Sequence, residues 1–168
     1  MRQIFLYCLT LILFAGCKKE EHGSRIDIYL LKSFTTTVDQ STMPATISIT
    51  NAVLADTPLV SNQDIKAYSK ATTTFVLGKD IRTIIQNYGP DKAFAVTVDN
   101  QPVYFGAFRP LYLNSITFGL ATISPPILNN NELQIDFTTM EGNSFLQQLD
   151  KRNDSRIINT LKATHRLR

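Results

Sequence analysis

The chain has 168 residues, of which 43% are hydrophobic and 18% charged, and a formal net charge of +3. That length allows one ordinary domain beside a targeting sequence, and the composition is globular rather than disordered. A charge this small excludes an electrostatic argument for nucleic acid.

The amino terminus carries the most specific functional signal. Met1–Gln3 gives a short cationic start, and Ile4–Phe14 is an apolar run interrupted by Thr10. The run is too short to span a bilayer as a permanent helix, so residues 1–16 read as a cleaved signal peptide. Its ending, Ala15-Gly16-Cys17, resembles the lipobox of bacterial lipoproteins, with Cys17 as the residue that would carry the lipid. Arg2 is the one charge in residues 1–16, so the mature chain keeps +2. The second cysteine, Cys8, lies inside the signal, so the mature domain is expected to hold neither a free thiol nor a disulfide. Residues 17–24 are charged and short, which suits a tether between lipid and domain. Acidic residues so close to the cysteine, Glu20 and Glu21, resemble the signals that carry some lipoproteins to the outer face of a Gram-negative outer membrane.

Residues 25–168 read as a single α+β domain. Ile26, Ile28 and Leu30 alternate with Asp27 and Tyr29, the pattern of a strand with one wetter face. Residues 35–46 are rich in Thr and Ser and contain Pro44, so a loop or weak edge is expected there. Ile47-Ser48-Ile49 alternates again, as a short strand would. Residues 51–68 lose period, and one helical turn is expected over Asp64–Tyr68. Thr72–Leu77 is a β-branched run. After it, Ile81, Ile84, Ile85 and Tyr88 fall on one face of a helix that Gly89-Pro90 would stop.

The strongest local signal is the hairpin over residues 92–108, in which Ala93–Val98 and Val103–Phe108 flank Asp99-Asn100-Gln101-Pro102. Alternation puts Phe94, Val96 and Val98 on one face, and Val103, Phe105 and Ala107 on one face of the return strand. Beyond it, residues 109–115 read as a loop that exposes Tyr112 beside Leu111 and Leu113, and Ile116, Phe118 and Leu120 alternate as a strand. In Glu132–Phe137 the residues Leu133, Ile135 and Phe137 face inward and Glu132, Gln134 and Asp136 face water. Residues 143–168 form a basic helical segment with a cap at Asn153-Asp154-Ser155. From Asp150 to Arg168 six Lys or Arg stand against two Asp; because they are spread, they read as a solvated face and a frayed terminus rather than a lipid or nucleic-acid site.

Chemistry is sparse. His22 and His165 lack apolar surroundings, and no G-x-x-x-x-G-K, G-x-G-x-x-G or H-E-x-x-H pattern occurs. Asp99, Glu132, Asp136 and Glu141 fall on turns and outer strand faces, where acids usually just solvate. No catalytic residue, metal ligand or cofactor is therefore assigned. Among the central aromatics, Tyr104, Phe108 and Tyr112 fall off the inward face given to Val103 and Phe105, which makes them the candidates for a partner-binding patch.

From Pro58 to Ile123 the order of features resembles a head subdomain in the periplasmic part of SecD-type translocase subunits. The matching pieces are Pro58-Leu59-Val60-Ser61 with Asp64-Ile65, then Thr74-Phe75-Val76-Leu77, the amphipathic helix and the hairpin ending at Phe108. The resemblance implies a reused α+β binding or scaffold domain and carries no catalytic motif.

The expected fold is thus α+β, an antiparallel or mixed sheet of about five to six strands with one packed amphipathic helix and a C-terminal helical segment. The expected function is that of a non-enzymatic envelope lipoprotein at the outer membrane, periplasmic or surface-exposed. It would bind a protein or polymer partner, hold the membrane through the lipid on Cys17 and take no nucleic acid. The alternative is a hydrolase of envelope polymers with unidentified carboxylates.

Overall fold

A computed structural model describes residues 23–168. The signal peptide, Cys17 and all of the tether but Gly23 and Ser24 lie outside the described residues. Eight strands form one sheet: β1 Ile26–Asp39, β2 Thr46–Leu54, β3 Ile65–Ser69, β4 Thr74–Leu77, β5 Ala93–Val98, β6 Gln101–Phe108, β7 Ala121–Ile123 and β8 Glu132–Phe137. Among the described residues three short helices accompany them: α1 Arg82–Ile85, α2 Ser144–Leu149 and α3 Ser155–Ala163. The order across the sheet is β2-β1-β5-β6-β7-β8-β4-β3. Only β6 and β7 run parallel, so the sheet is mixed.

The α+β class with a mixed sheet is as the sequence implies, but there are eight strands rather than five to six. Two of the missed stretches have a clear cause. Thr35–Asp39 is expected as a loop or weak edge because Thr and Ser are common in turns; Thr is β-branched, and β1 continues through it, paired with Thr46–Thr50 of the edge strand β2. Asp64–Tyr68 was expected as a helical turn because Asp64 follows a polar run. The Asp64 carboxylate instead accepts the Ser61 N–H and hydroxyl, closing a turn that launches β3. Ile65 and Ala67 then point inward and Lys66 outward, the alternation of a strand.

Two apolar clusters hold the sheet. The larger gathers Ile26, Ile28, Val60, Tyr68, Phe75, Phe94, Val96, Ile123, Leu133 and Ile135, and is covered by Ile157, Ile158 and Leu161 of α3. The sheet curls enough that Val60, between β2 and β3, exchanges both backbone hydrogen bonds with Ile28 of β1 (2.8 and 3.0 Å). The smaller cluster lies on the other face of the β5–β6 ribbon, where Ala93, Ala95, Phe105 and Ala107 meet Leu31, Ile49 and Leu54. Register shifts at Leu31, Ser33 and Thr35 mark the place where β1 leaves β5 and, with β2, covers that face.

The expected amphipathic helix is a single turn. Ile81 and Ile85 are buried, while Ile84 reaches the surface. The backbone N–H of Ile81 donates to the carbonyl of Asn130 (2.8 Å), so a neighbouring loop rather than a preceding helical turn satisfies its start. The strand expected at Ile116–Leu120 is displaced to β7, and Phe118 makes an isolated bridge to Thr138 while its carbonyl accepts the Ile47 N–H (2.9 Å). The terminus is pinned rather than frayed. Tyr68 N donates to Arg166 O (2.8 Å) and Arg168 N to Tyr68 O (2.9 Å), which covers the outer edge of β3.

Candidate functional site

The hairpin decides where its aromatics point. Asp99 and Asn100 both have positive φ (51° and 63°), so the turn has two residues, and Gln101 and Pro102 belong to β6. A register shift after Thr97, which pairs with Pro102, leaves Val103 as an extra residue and brings Tyr104 opposite Val96. That shift inverts the expected faces of β6. Tyr104 and Phe108 join the main core, 9% and 3% exposed, and Phe105 and Ala107 turn to the smaller cluster. Phe108 packs edge-on against Tyr88 and Phe94 at centroid distances of 4.9 and 5.6 Å. Burial pushes the Tyr104 hydroxyl well above its ordinary pKa. Tyr104 and Phe108 therefore cannot form a surface patch with Tyr112, which stands alone at 75% exposure.

Of the exposed large apolar residues, Leu111, Tyr112, Ile116, Ile127 and Leu128 lie on two connections at one end of the sheet, while others such as Met43 and Met140 lie elsewhere. From β6 the chain runs through residues 109–120 to reach β7 in parallel, and residues 124–131 return it to β8. The first connection is held by Arg109, whose backbone N–H donates to Ile123 O (2.7 Å) and whose guanidinium donates to Leu113 O (3.2 Å). The second begins with Pro125-Pro126, which cannot continue the ladder of β7. Between them opens a cleft of about 470 Å³. Leu111, Pro126, Ile127 and Leu128 line it, together with the outer row of β8, Glu132, Gln134 and Asp136. Leu111 is 60%, Ile127 68% and Leu128 90% exposed.

The polar row of β8 was legible in the alternation of Glu132–Phe137, and the exposure of Leu111 and Tyr112 in the breakers around them. Ile127 and Leu128 were missed. Their signal was two bulky apolar residues stranded between Pro125-Pro126 and Asn129-Asn130-Asn131, where no strand or helix can bury them.

Glu132 and Asp136 are the acids that the fold brings to the cleft. Four strand residues separate their Cα atoms by about 13 Å. Gln134 lies between them, and its amide donates to Asp136 Oδ1 (2.8 Å). Asp99 sits at the far end of β6, at the hairpin turn, and Glu141 in the exposed turn before α2. Among the described residues no group of three or more His, Cys, Asp and Glu is gathered as metal ligands would be.

The basic C-terminal segment is largely engaged within the fold. Arg152 grips Asp150 through Nε and Nη2 (2.9 and 2.7 Å), while its Nη1 reaches Thr73 Oγ1 and Ile135 O. Arg156 pairs with its helix cap Asp154, and Arg166 donates to Asn62 and to Ile65 O. Among the described residues no helix is long and apolar enough to cross a membrane. No protein-family model, curated protein or solved structure matches the chain.

Proposed function

We propose that this protein is a lipid-anchored, non-enzymatic binding module of the bacterial envelope, a reused α+β scaffold of the kind its resemblance to SecD-type head subdomains suggests. Cys17 holds the lipid, and the anchor lies at the outer membrane, on its periplasmic or surface-exposed side. The observation that supports the reading is the polarity of the domain. The backbones of Arg25 and Asp99 are joined by Asp99 N–H to Arg25 O (2.9 Å), so the tether enters at the hairpin turn. From there β6 rises eight residues, about 26 Å, before the connections with the exposed apolar side chains begin. A domain held at one end and open at the other presents that open end away from the membrane.

Co-purification from native membranes tests this reading. A stoichiometric partner retained by the full chain, and lost when Leu111 and Leu128 are both changed to Ser, agrees with it. Full recovery of that partner with the Ser variant, or hydrolysis of envelope polymer by the purified chain, counts against it.

A further inference from the structure

Apolar walls alone would suit many occupants of the cleft; the carboxylates of its floor narrow the choice. Glu132 and Asp136 point to the same side of β8, two pleats apart, beneath Leu111, Ile127 and Leu128. No Lys or Arg among the described residues forms an ion pair with either acid. Each of the six ion pairs of the described residues uses another carboxylate, so these two are left to face the cleft opening. A surface of this kind repels phosphate-bearing lipid heads and carboxylate-bearing polymers and attracts cations.

Spacing narrows the partner further. The Cα atoms of the two acids stand about 13 Å apart along β8, which is the rise of four residues in an extended chain. β8 lies inside the sheet, paired with β4 over Glu132–Gln134 and with β7 over Ile135–Phe137, so it is no free edge and its outward side chains are the groups that read a ligand laid across the cleft. We infer that the cleft docks an extended segment of a partner protein carrying two Lys or Arg four positions apart, with apolar residues beside them. The cations meet Glu132 and Asp136, and the apolar side chains settle against Leu111, Ile127 and Leu128. This rests on the binding-module reading above and assigns the class of partner, a basic peptide segment rather than a polymer.

The direct probe is a labelled heptapeptide with arginine at its second and sixth positions and leucine or threonine elsewhere, titrated with the full chain in detergent. Fluorescence anisotropy should show this peptide binding at least about tenfold tighter than its glutamate counterpart, with the difference shrinking as salt rises. The double variant Glu132→Gln, Asp136→Asn should weaken binding about tenfold, the loss expected of two partly solvated charge pairs. Leu128→Ser, at an exposed position, should weaken it without affecting the fold. Equal binding of both peptides, no binding of the arginine peptide, or indifference to the double variant overturns the inference.

A photoreactive phenylalanine analogue in place of Leu128, and separately in place of Arg156 near the tether, separates this failure from that of the underlying reading. Crosslinking at position 128 of a protein in native membranes that the arginine heptapeptide displaces supports the cleft. Crosslinking at position 156 alone leaves a binding module but removes the cleft from it, and no crosslink at either position, together with no co-purified partner, removes both.

Discussion

Val96 and Tyr104 stand opposite each other across the β5–β6 ribbon, and this one pairing carries two bulky side chains into the same core. Without the extra residue at Val103, Val96 would face Val103 and the whole of β6 would present its other side. The pairing depends on a two-residue turn in which Asn100 holds φ of 63°. Asn100→Gly keeps that backbone while losing the hydrogen bond from the Tyr29 hydroxyl (3.2 Å), and should change stability by less than about 1 kcal/mol. Asn100→Val places a β-branched residue in the left-handed region and should cost about 1–2 kcal/mol, read by urea unfolding.

Gly106 faces Phe94 in the same ribbon. A Cβ there would collide with the Phe94 ring and would lie 2.5 Å from the carbonyl oxygen of Ala121. Gly106→Ala should therefore cost about 2–3 kcal/mol or more, because a backbone carbonyl cannot move aside as a flexible side chain can. Thermal unfolding measures it, and a melting temperature within error of the parent would show that β6 and β7 are not so closely apposed.

Arg152 joins three parts of the chain that are distant in sequence: Asp150, Thr73 before β4 and Ile135 of β8. Its planar head also lies 5.9 Å from the centre of the Phe137 ring. Lysine cannot reproduce the fork, so Arg152→Lys should destabilise the domain by about 2 kcal/mol although it keeps the charge. Denaturant titration would detect the loss as a lower midpoint with an unchanged slope.

Acid should destabilise the domain in part through Asp64. Burial works against its charge, but the Lys79 ammonium and the N–H and hydroxyl of Ser61 outweigh that and hold its pKa at about 2, below the ordinary 3.8. A carboxyl depressed in the folded state contributes stability that is complete above the unfolded value. That contribution disappears as pH falls from about 4 to about 2, and amounts to at most about 2 kcal/mol because the pair is partly solvated. Lys79→Met should shrink this acid-dependent part, visible as a flatter fall of stability between those pH values.

How far the sequence can be read follows from which interactions are local. Glu132–Phe137 was legible in full because alternation alone fixes a strand with one wet face, and Asp154 was legible as the cap of α3, where its side chain accepts the Arg156 N–H. The helix after Lys79 is shorter than its pattern suggests: four apolar residues at helical spacing fit a longer helix, yet it spans only Arg82–Ile85, and its start is satisfied by Asn130, far along the sequence. The faces of β6 were inverted by a bulge with no local signature beyond Pro102, which has no N–H to give the ladder. The cleft was half legible. Its acidic floor lies in one strand, but its walls come together only through the parallel pairing of β6 with β7, a long-range contact.

The measurement that bears most directly on the proposed role is incorporation of labelled palmitate by the full chain in a Gram-negative host, with and without Cys17→Ser. The parent should carry the label, pellet with the membranes and begin at residue 17, while Cys17→Ser should carry none. An unlabelled parent chain, or equal label on Cys17→Ser, would contradict lipid anchoring at Cys17 and with it the reading of a tethered module.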